Sequence, residues 1–126
     1  MKRIFLGLTL LLALLWSAAV ITVQMDRVYD PIVNSLRQAA AAAESNDWRK
    51  ATSLANQAKS CWETHRHFTA SVADHSPMDE IDGLFAELEV FLTQQEMPHF
   101  AATCRHLAML TAAMGDNHAF SWWNLL

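Results

Sequence analysis

An uninterrupted apolar segment near the N-terminus constrains this chain more than any other feature. It runs from Ile4 to Val23 without a charged side chain, directly after Lys2 and Arg3. A helix of that length spans about 30 Å, the thickness of the hydrocarbon core of a bilayer. A core helix of a soluble domain would carry a polar face, and this segment has none. The sequence therefore predicts contact with the lipid bilayer through Ile4 to Val23.

Two interpretations of this segment differ in whether it is removed. In a cleaved signal peptide, the apolar region would run from Ile4 to Trp16, and Ser17-Ala18-Ala19 would be the small-residue cleavage site. In an uncleaved anchor, the apolar run continues to Val23, which is longer than a signal region requires. We favour the anchor, and both interpretations place the rest of the chain outside the cytoplasm.

The basic residues before the segment predict its orientation. Lys2 and Arg3 are held in the cytoplasm by the positive-inside rule, so the C-terminal part faces outward. We expect a membrane anchor over residues 1–25, an extracytoplasmic helical domain over 26–115, and an apolar C-terminal tail over 116–126. The expected location is the cell membrane, with a single pass.

Amino-acid composition narrows the fold class and the kind of partner expected for the extracytoplasmic residues. Of 9 Lys and Arg in the chain, removal of Lys2 and Arg3 leaves 7 against 13 Asp and Glu, a net charge of −6. This acidic balance argues against nucleic acid as a partner, since phosphates attract basic surfaces. The chain has three Gly and three Pro, and β-branched residues are sparse after Val33. We expect an all-α domain.

The first outer helix is predicted from a capping signal. Asp30 suits an N-cap and Pro31 the first helical position, where its missing N–H costs nothing. The same proline should interrupt any helix that continues from the membrane. The helix would end near Glu44, after an alanine run from Ala39 to Ala43. The run could be a close-packing surface, but we favour helix propensity with a modest contribution to the core.

Three further helices follow from apolar spacing and caps. Ser45-Asn46-Asp47 breaks the first helix, and the second begins at Trp48. The third has Ser76 as its expected N-cap; Pro98 opens the fourth, and Gly115 is its expected C-cap. We expect two αα-hairpins in series, forming a four-helix, up-down arrangement. The expected core side chains are Trp48, Trp62, Leu84, Leu88 and Leu107.

The order of several residues resembles a known family. The residues are Trp48 and Trp62, then Asp74 and His75, then Met78 to Asp82, and finally Asn124-Leu125-Leu126. These features extend over most of the chain. In them the chain resembles a bacterial family of small anchored proteins, domain-of-unknown-function family 4363. The resemblance implies a membrane-bound, outward-facing helical domain and supplies no activity. It also implies a multi-pass membrane protein as a partner.

Candidate metal ligands occur on the second helix and in the turn that is expected to follow it. Cys61 and His65 are four residues apart and share a helix face, and His75 could join them if the turn folds back. A structural zinc site needs four converging ligands, usually in paired short spacings, and this chain lacks that pattern. We therefore expect no metal and no cofactor. The structural alternative is that Asp74, His75, Ser76 and Asp79 cap the hairpin turn.

The two cysteines raise the question of a disulfide, which the extracytoplasmic location would permit. In an up-down arrangement, Cys61 and Cys104 are offset by roughly 10 Å along the helix axes, beyond the usual Cα limit near 7 Å. We expect two buried free thiols instead.

The C-terminal tail is unusually apolar for a free end. Its apolar residues are Phe120, Trp122, Trp123, Leu125 and Leu126. Paired tryptophans suit the membrane interface, and a partner could also bury such a patch. We favour a third possibility, in which the tail folds back and completes the core.

These observations favour a non-catalytic protein. The sequence shows no Ser-His-Asp order, glycine-rich phosphate loop or carboxylate pair with a defined groove. We expect an interaction or accessory subunit for a membrane protein, contacting it through the tail or through the acidic face of the third helix. The alternative is an exported ligand- or metal-binding protein that uses Cys61, His65 and His75.

Overall fold

The computed structural model describes residues 1–70 and 75–121, apart from the side chains of residues 22, 25, 26, 68–70, 75 and 117–121. Within these ranges the chain is all-α, as predicted, and contains no strand. The four helices are α1 (Lys2–Glu44), α2 (Trp48–Ala70), α3 (His75–Gln94) and α4 (Met97–Ser121).

Helix α1 differs most from the prediction. We expected Asp30 and Pro31 to begin a new helix, and that was wrong: α1 is one helix of 43 residues with Pro31 inside it. An internal proline lacks the N–H that would bond the carbonyl of Arg27, which costs about 3 kcal/mol. The helix continues because Ile32 and Leu36 are completely buried in the core, whereas Pro31 is exposed. Tertiary packing thus outweighs the local break.

The N-terminal half of α1 is the predicted apolar helix. Lys2–Ile21 has a mean hydropathy of 2.5, and none of it is buried against the rest of the protein. Its length and composition are sufficient to cross a membrane, and a signal sequence would meet the same criteria. Both interpretations made from the sequence are compatible with this helix.

The four helices form two hairpins packed together. Helix α1 packs against both α2 and α4, α3 packs mainly against α4, and α2 and α3 make few contacts with each other. Of the predicted core residues, Trp62, Leu88 and Leu107 are buried. Trp48 and Leu84 are partly buried and pack against the core from its edge.

The alanine run of α1 is a packing surface. Ala39, Ala40, Ala42 and Ala43 are at most 5% exposed, and only Ala41 of the run faces solvent. The burial of these four alanines favours close packing over helix propensity as their main role. Small side chains let neighbouring helices approach closely, and the buried positions of α2 also include three alanines. These are Ala51, Ala55 and Ala58.

The turn between α1 and α2 confirms the predicted break. Asn46 has a φ of 61°, in the left-handed region that asparagine tolerates well. Its N–H donates to the carbonyl of Ala43 at 2.9 Å, and the N–H of Asp47 donates to that of Ala42 at 2.8 Å. This pair of bonds is the Schellman motif. Asp47 then caps α2, because its Oδ1 accepts the N–H of Lys50 at 3.1 Å.

Helix α3 begins earlier than predicted, and a left-handed residue follows its end. The helix begins at His75, so Ser76, the predicted N-cap, lies inside its first turn instead. At the other end, Gln95 has a φ of 54°, and the N–H of Glu96 donates to the carbonyl of Phe91 at 3.0 Å. The turn into α4 therefore repeats the Schellman pattern of the first turn.

Helix α4 extends beyond its predicted end. We expected Gly115 to terminate it, but the helix continues to Ser121. Gly115 instead lies beside Tyr29 of α1: a Cβ at this position would be 3.5 Å from Cδ2 of the tyrosine ring. Tyr29 is buried at 2% exposure. Gly115 therefore lies at a contact between α1 and α4, at a distance that an alanine would also allow, and it does not end the helix.

Candidate functional site

Cys61 and His65 lie together on α2, as the sequence predicts. The Nδ1 of His65 is 2.9 Å from the carbonyl oxygen of Cys61 and 3.9 Å from its Sγ. Because a carbonyl oxygen can only accept, Nδ1 carries the proton and donates it. This bond orients the ring, and a metal ion could reach the histidine only through Nε2.

A metal site at this pair would need further ligands. Among the residues whose side chains the structure describes, no group of three His, Cys, Asp or Glu converges. The side chain of His75, the third candidate, lies outside the described part. The structure therefore brings Cys61 and His65 together and adds no other ligand from the described residues.

The two cysteines are free thiols in different environments. Cys104 is completely buried on α4, and this burial raises its pKa to about 12. Cys61 is partly buried, and desolvation raises its pKa as well. The expected absence of a disulfide agrees with this state, while the expectation that both thiols are buried holds for Cys104 alone.

These environments predict unequal thiol reactivity. At pH 8 a thiol with a pKa of about 12 is ionised to about one part in 10⁴, and only the thiolate attacks a disulfide reagent. We expect Cys61 of the full chain in mild detergent to react with Ellman's reagent at least about 100-fold faster than Cys104. The variant Cys61→Ser should lose the fast phase. Fewer than two reactive thiols in unreduced, unfolded protein would contradict the free-thiol state.

A polar network between α2 and α3 was not predicted. The Nε1 of Trp62 donates to Oδ1 of Asp82 at 2.8 Å, and Nη2 of Arg66 lies 2.6 Å from Oδ2 of the same carboxylate. Lys59 and Glu89 form a second ion pair between these helices. Trp62 and Arg66 are four residues apart and share a helix face, which is the signal that could have suggested a common partner. The network links two helices that otherwise make few contacts.

The acidic face of α3, a predicted contact surface, is divided by this network. Asp82 and Glu89 pair with side chains of α2. Asp79, Glu80 and Glu87 are exposed. Asp79, Glu80 and Glu87, which form no ion pair with the described part of α2, are therefore the acidic residues of this face left for a partner.

The predicted turn residues lie at the boundary of the described structure. Ser76 and Asp79 are exposed on the first turns of α3. Asp74 and the side chain of His75 lie outside the described residues. Ser76 lies inside the helix rather than at its N-cap position, and the capping roles of Asp74, His75 and Asp79 stay predictions.

An open groove of about 560 Å³ lies between α1 and α4 and was missed from the sequence. Charged side chains enter it from both helices: Arg37 from α1, and Arg105 and Asp116 from α4. Met109 also lines the groove and is 61% exposed. The Nη2 of Arg105 is 2.6 Å from Oε1 of Glu44, which joins the two helices at one end. An exposed methionine among charges of both signs is suited to contact with another protein.

The predicted contact residues of the tail lie partly within α4 and partly after it. Phe120 belongs to this helix, although its side chain is not described. Trp122, Trp123, Leu125 and Leu126 lie outside the described residues. The predicted tail, residues 116–126, therefore overlaps the C-terminal end of α4, which reaches Ser121.

Comparison with known proteins assigns this helical domain to a family. No curated protein and no solved structure matches the chain. The model of the family described as "Domain of unknown function (DUF4363)" matches residues 20–125. The match includes most of the chain and leaves out most of the apolar helix, so it rests on the helical domain. The chain belongs to the DUF4363 family.

Proposed function

We propose that this DUF4363 protein is a single-pass membrane protein that acts through protein contacts as an accessory subunit of a membrane protein. Its N-terminus lies in the cytoplasm and its helical domain lies outside. The observation that carries this proposal is the exposed apolar half of α1, none of which is buried within the protein.

The N-terminal half of α1 presents large apolar side chains on its surface. Ile4, Leu14 and Trp16 are 76%, 62% and 75% exposed, and their neighbours along the segment are similarly open. Removing one such side chain from water is favourable by about 1.5–3 kcal/mol. Continuous exposure over a whole helix marks a membrane or partner surface. A bilayer covers all sides of such a helix at once, and the length of Lys2–Ile21 matches its thickness.

The continuity of α1 supports an anchor that holds the domain close to the membrane. The apolar run ends at Val23, and the buried core begins at Tyr29. Six residues of helix correspond to about 9 Å, so the domain would stand directly above the bilayer surface. A rigid helix, rather than a loose linker, connects the two parts.

The contact surface proposed for the partner is the groove between α1 and α4. Arg37, Arg105 and Asp116 surround the exposed Met109 with charges of both signs. A partner anchored in the same membrane would meet this groove at a fixed height, since α1 lines it. We infer that the partner is a multi-pass membrane protein with an outward-facing loop or helix.

The anchor is tested on protein from native membranes. We expect an intact mass that includes residues 1–19 and a protein that resists extraction by alkaline carbonate. Removal of residues 1–19 would leave the core from Tyr29 onward intact, so a processed protein could still fold. A processed mass together with release in soluble form would contradict the anchor and favour an exported binding protein.

The contact surface is tested by co-purification in mild detergent with mass spectrometry. We expect Met109→Asp to lose a specific multi-pass membrane protein that the unaltered chain retains. Val90→Asp on α3 is the matched control, because Val90 is also an exposed apolar residue of a helix, at 51% exposure. Equal recovery of the partner with both variants would exclude the groove as the contact.

A further inference from the structure

The groove between α1 and α4 has a direction relative to the apolar segment. Arg105 of α4 pairs with Glu44 of α1. Gly115 lies further along α4, beside Tyr29 of α1. As the residue number rises along α4, the number of its neighbour on α1 falls, so the two helices are antiparallel. The Arg105 end of the groove therefore points away from the apolar segment, and the Gly115 end points toward it.

Arg37 lies near the middle of the groove, about level with Met109. On α1 it stands between Tyr29 and Glu44, and Met109 stands between their neighbours on α4. Arg37 is exposed, and its guanidinium forms no ion pair or hydrogen bond within the described part of the chain. Arg105, by contrast, is paired with Glu44. The middle of the groove thus presents a cation beside an exposed apolar side chain.

The floor of the groove consists of small residues. Ala108 is 2% exposed, and Ala112 is partly buried four residues further along the same face of α4. Small side chains let the backbone of a packed helix approach closely. Recognition by strand addition would need an open sheet edge, and the described part of the chain is helical. A helix laid along the groove is therefore the shape that suits it.

We propose that the groove binds an amphipathic helix of the membrane partner, and that a carboxylate on this helix pairs with Arg37. This inference rests on the function proposed above and specifies the chemistry of its contact surface. The apolar face of the bound helix covers Met109 and Ala112, since a methionine side chain adapts to the surface that meets it. The planar guanidinium of Arg37 donates two parallel hydrogen bonds to a carboxylate, which makes this pair selective for an acidic residue.

Asp116 determines which end of the groove excludes an acidic residue. It follows Gly115 directly and is therefore level with Val28, about 13 Å nearer the apolar segment than Arg37. A carboxylate at that end would be repelled by Asp116. The bound helix is thus acidic opposite Arg37 and neutral or basic toward the membrane.

Charge also favours a different protein over a second copy of this chain. Two copies anchored in one membrane face each other at equal heights when their two-fold axis stands along the membrane normal. Arg37 would then meet the same cation of the second copy. Glu44 stands seven residues after Arg37, about 10 Å further from the membrane. The partner therefore has to supply its own carboxylate at the height of Arg37.

The test uses a carbodiimide, which joins an amine to a carboxylate where the two are in direct contact. A guanidinium does not form this amide, so Arg37→Lys introduces the reactive amine and keeps the charge. Arg37 is exposed, so the variant should fold. The full chain is treated in native membranes, and the joined peptides are sequenced by mass spectrometry. We expect an amide between residue 37 and an Asp or Glu of a multi-pass membrane protein, in a segment with helical apolar spacing.

The matched control is Gln38→Lys, because Gln38 is exposed on α1 and does not line the groove. We expect this variant to lose the amide with the partner. Equal yields from the two variants would overturn the proposal. An amide between residue 37 and a carboxylate of its own chain, or of a second copy, would also overturn it, since another occupant would then fill the groove.

The co-purification of Met109→Asp and Val90→Asp separates this inference from the proposed function. If Met109→Asp alone loses the partner and residue 37 forms no amide, the groove remains the contact surface and its acidic occupant is wrong. Equal recovery of the partner with both variants would remove the groove as the contact surface and this inference with it.

Discussion

Replacement of Trp62 by alanine is expected to lower the free energy of unfolding by about 3–5 kcal/mol. The side chain is 1% exposed and is one of the largest that are completely buried. Its loss leaves a cavity in the core and removes the hydrogen bond from Nε1 to Asp82. The measurement is urea unfolding of the full chain in mild detergent, followed by circular dichroism at the helix band.

Two control variants divide this effect into its parts. Trp62→Phe keeps most of the apolar volume and loses the N–H donor, so we expect a smaller cost of about 1–3 kcal/mol. Asp82→Asn keeps an oxygen acceptor for Trp62 but removes the charge that faces Arg66. This ion pair is partly exposed, and its loss should cost about 1 kcal/mol or less. A Trp62→Ala variant as stable as Asp82→Asn would contradict the assigned burial of the indole.

Replacement of Ala39 by leucine is expected to destabilise the protein by about 1–3 kcal/mol. Ala39 is completely buried on α1, so three added heavy atoms must displace a neighbouring helix or adopt a strained rotamer. Leucine and alanine differ little in helix propensity, so the cost comes from packing. The same unfolding measurement applies.

The control lies within the same run of alanines. Ala41 is exposed, and Ala41→Leu should change the free energy of unfolding by no more than about 0.5 kcal/mol. The two variants separate the two roles considered for this run. Equal effects at Ala39 and Ala41 would mean that helix propensity, rather than close packing, explains the alanines.

Local rules were sufficient to predict the turn between α1 and α2. The break at Ser45-Asn46-Asp47 depends on a left-handed Asn46 and on capping by Asp47, and both depend on residues within one turn. The proximity of Cys61 and His65 follows from their spacing on one helix. Such features can be predicted because the interacting groups are neighbours in the chain.

The candidate groove could not be predicted in this way. Arg37 and Arg105 enter it from helices that are far apart in the sequence, and Glu44 meets Arg105 only after α1 and α4 have packed. The carboxylate shared by Trp62 and Arg66 likewise comes from α3. The spacing of apolar residues in the sequence does not indicate which face of one helix will pack against which face of another.

The sequence by itself determined the all-α class, the apolar helix and the short turns, because backbone hydrogen bonds and caps are local. Tertiary structure alone decided whether the local signals at Pro31 and Gly115 end a helix. Pro31 stays inside α1 because the residues that follow it are buried, and Gly115 stays inside α4, where the neighbouring Met114 is buried. A breaking residue costs a few kcal/mol locally, and burial of the surrounding helix contributes more than that.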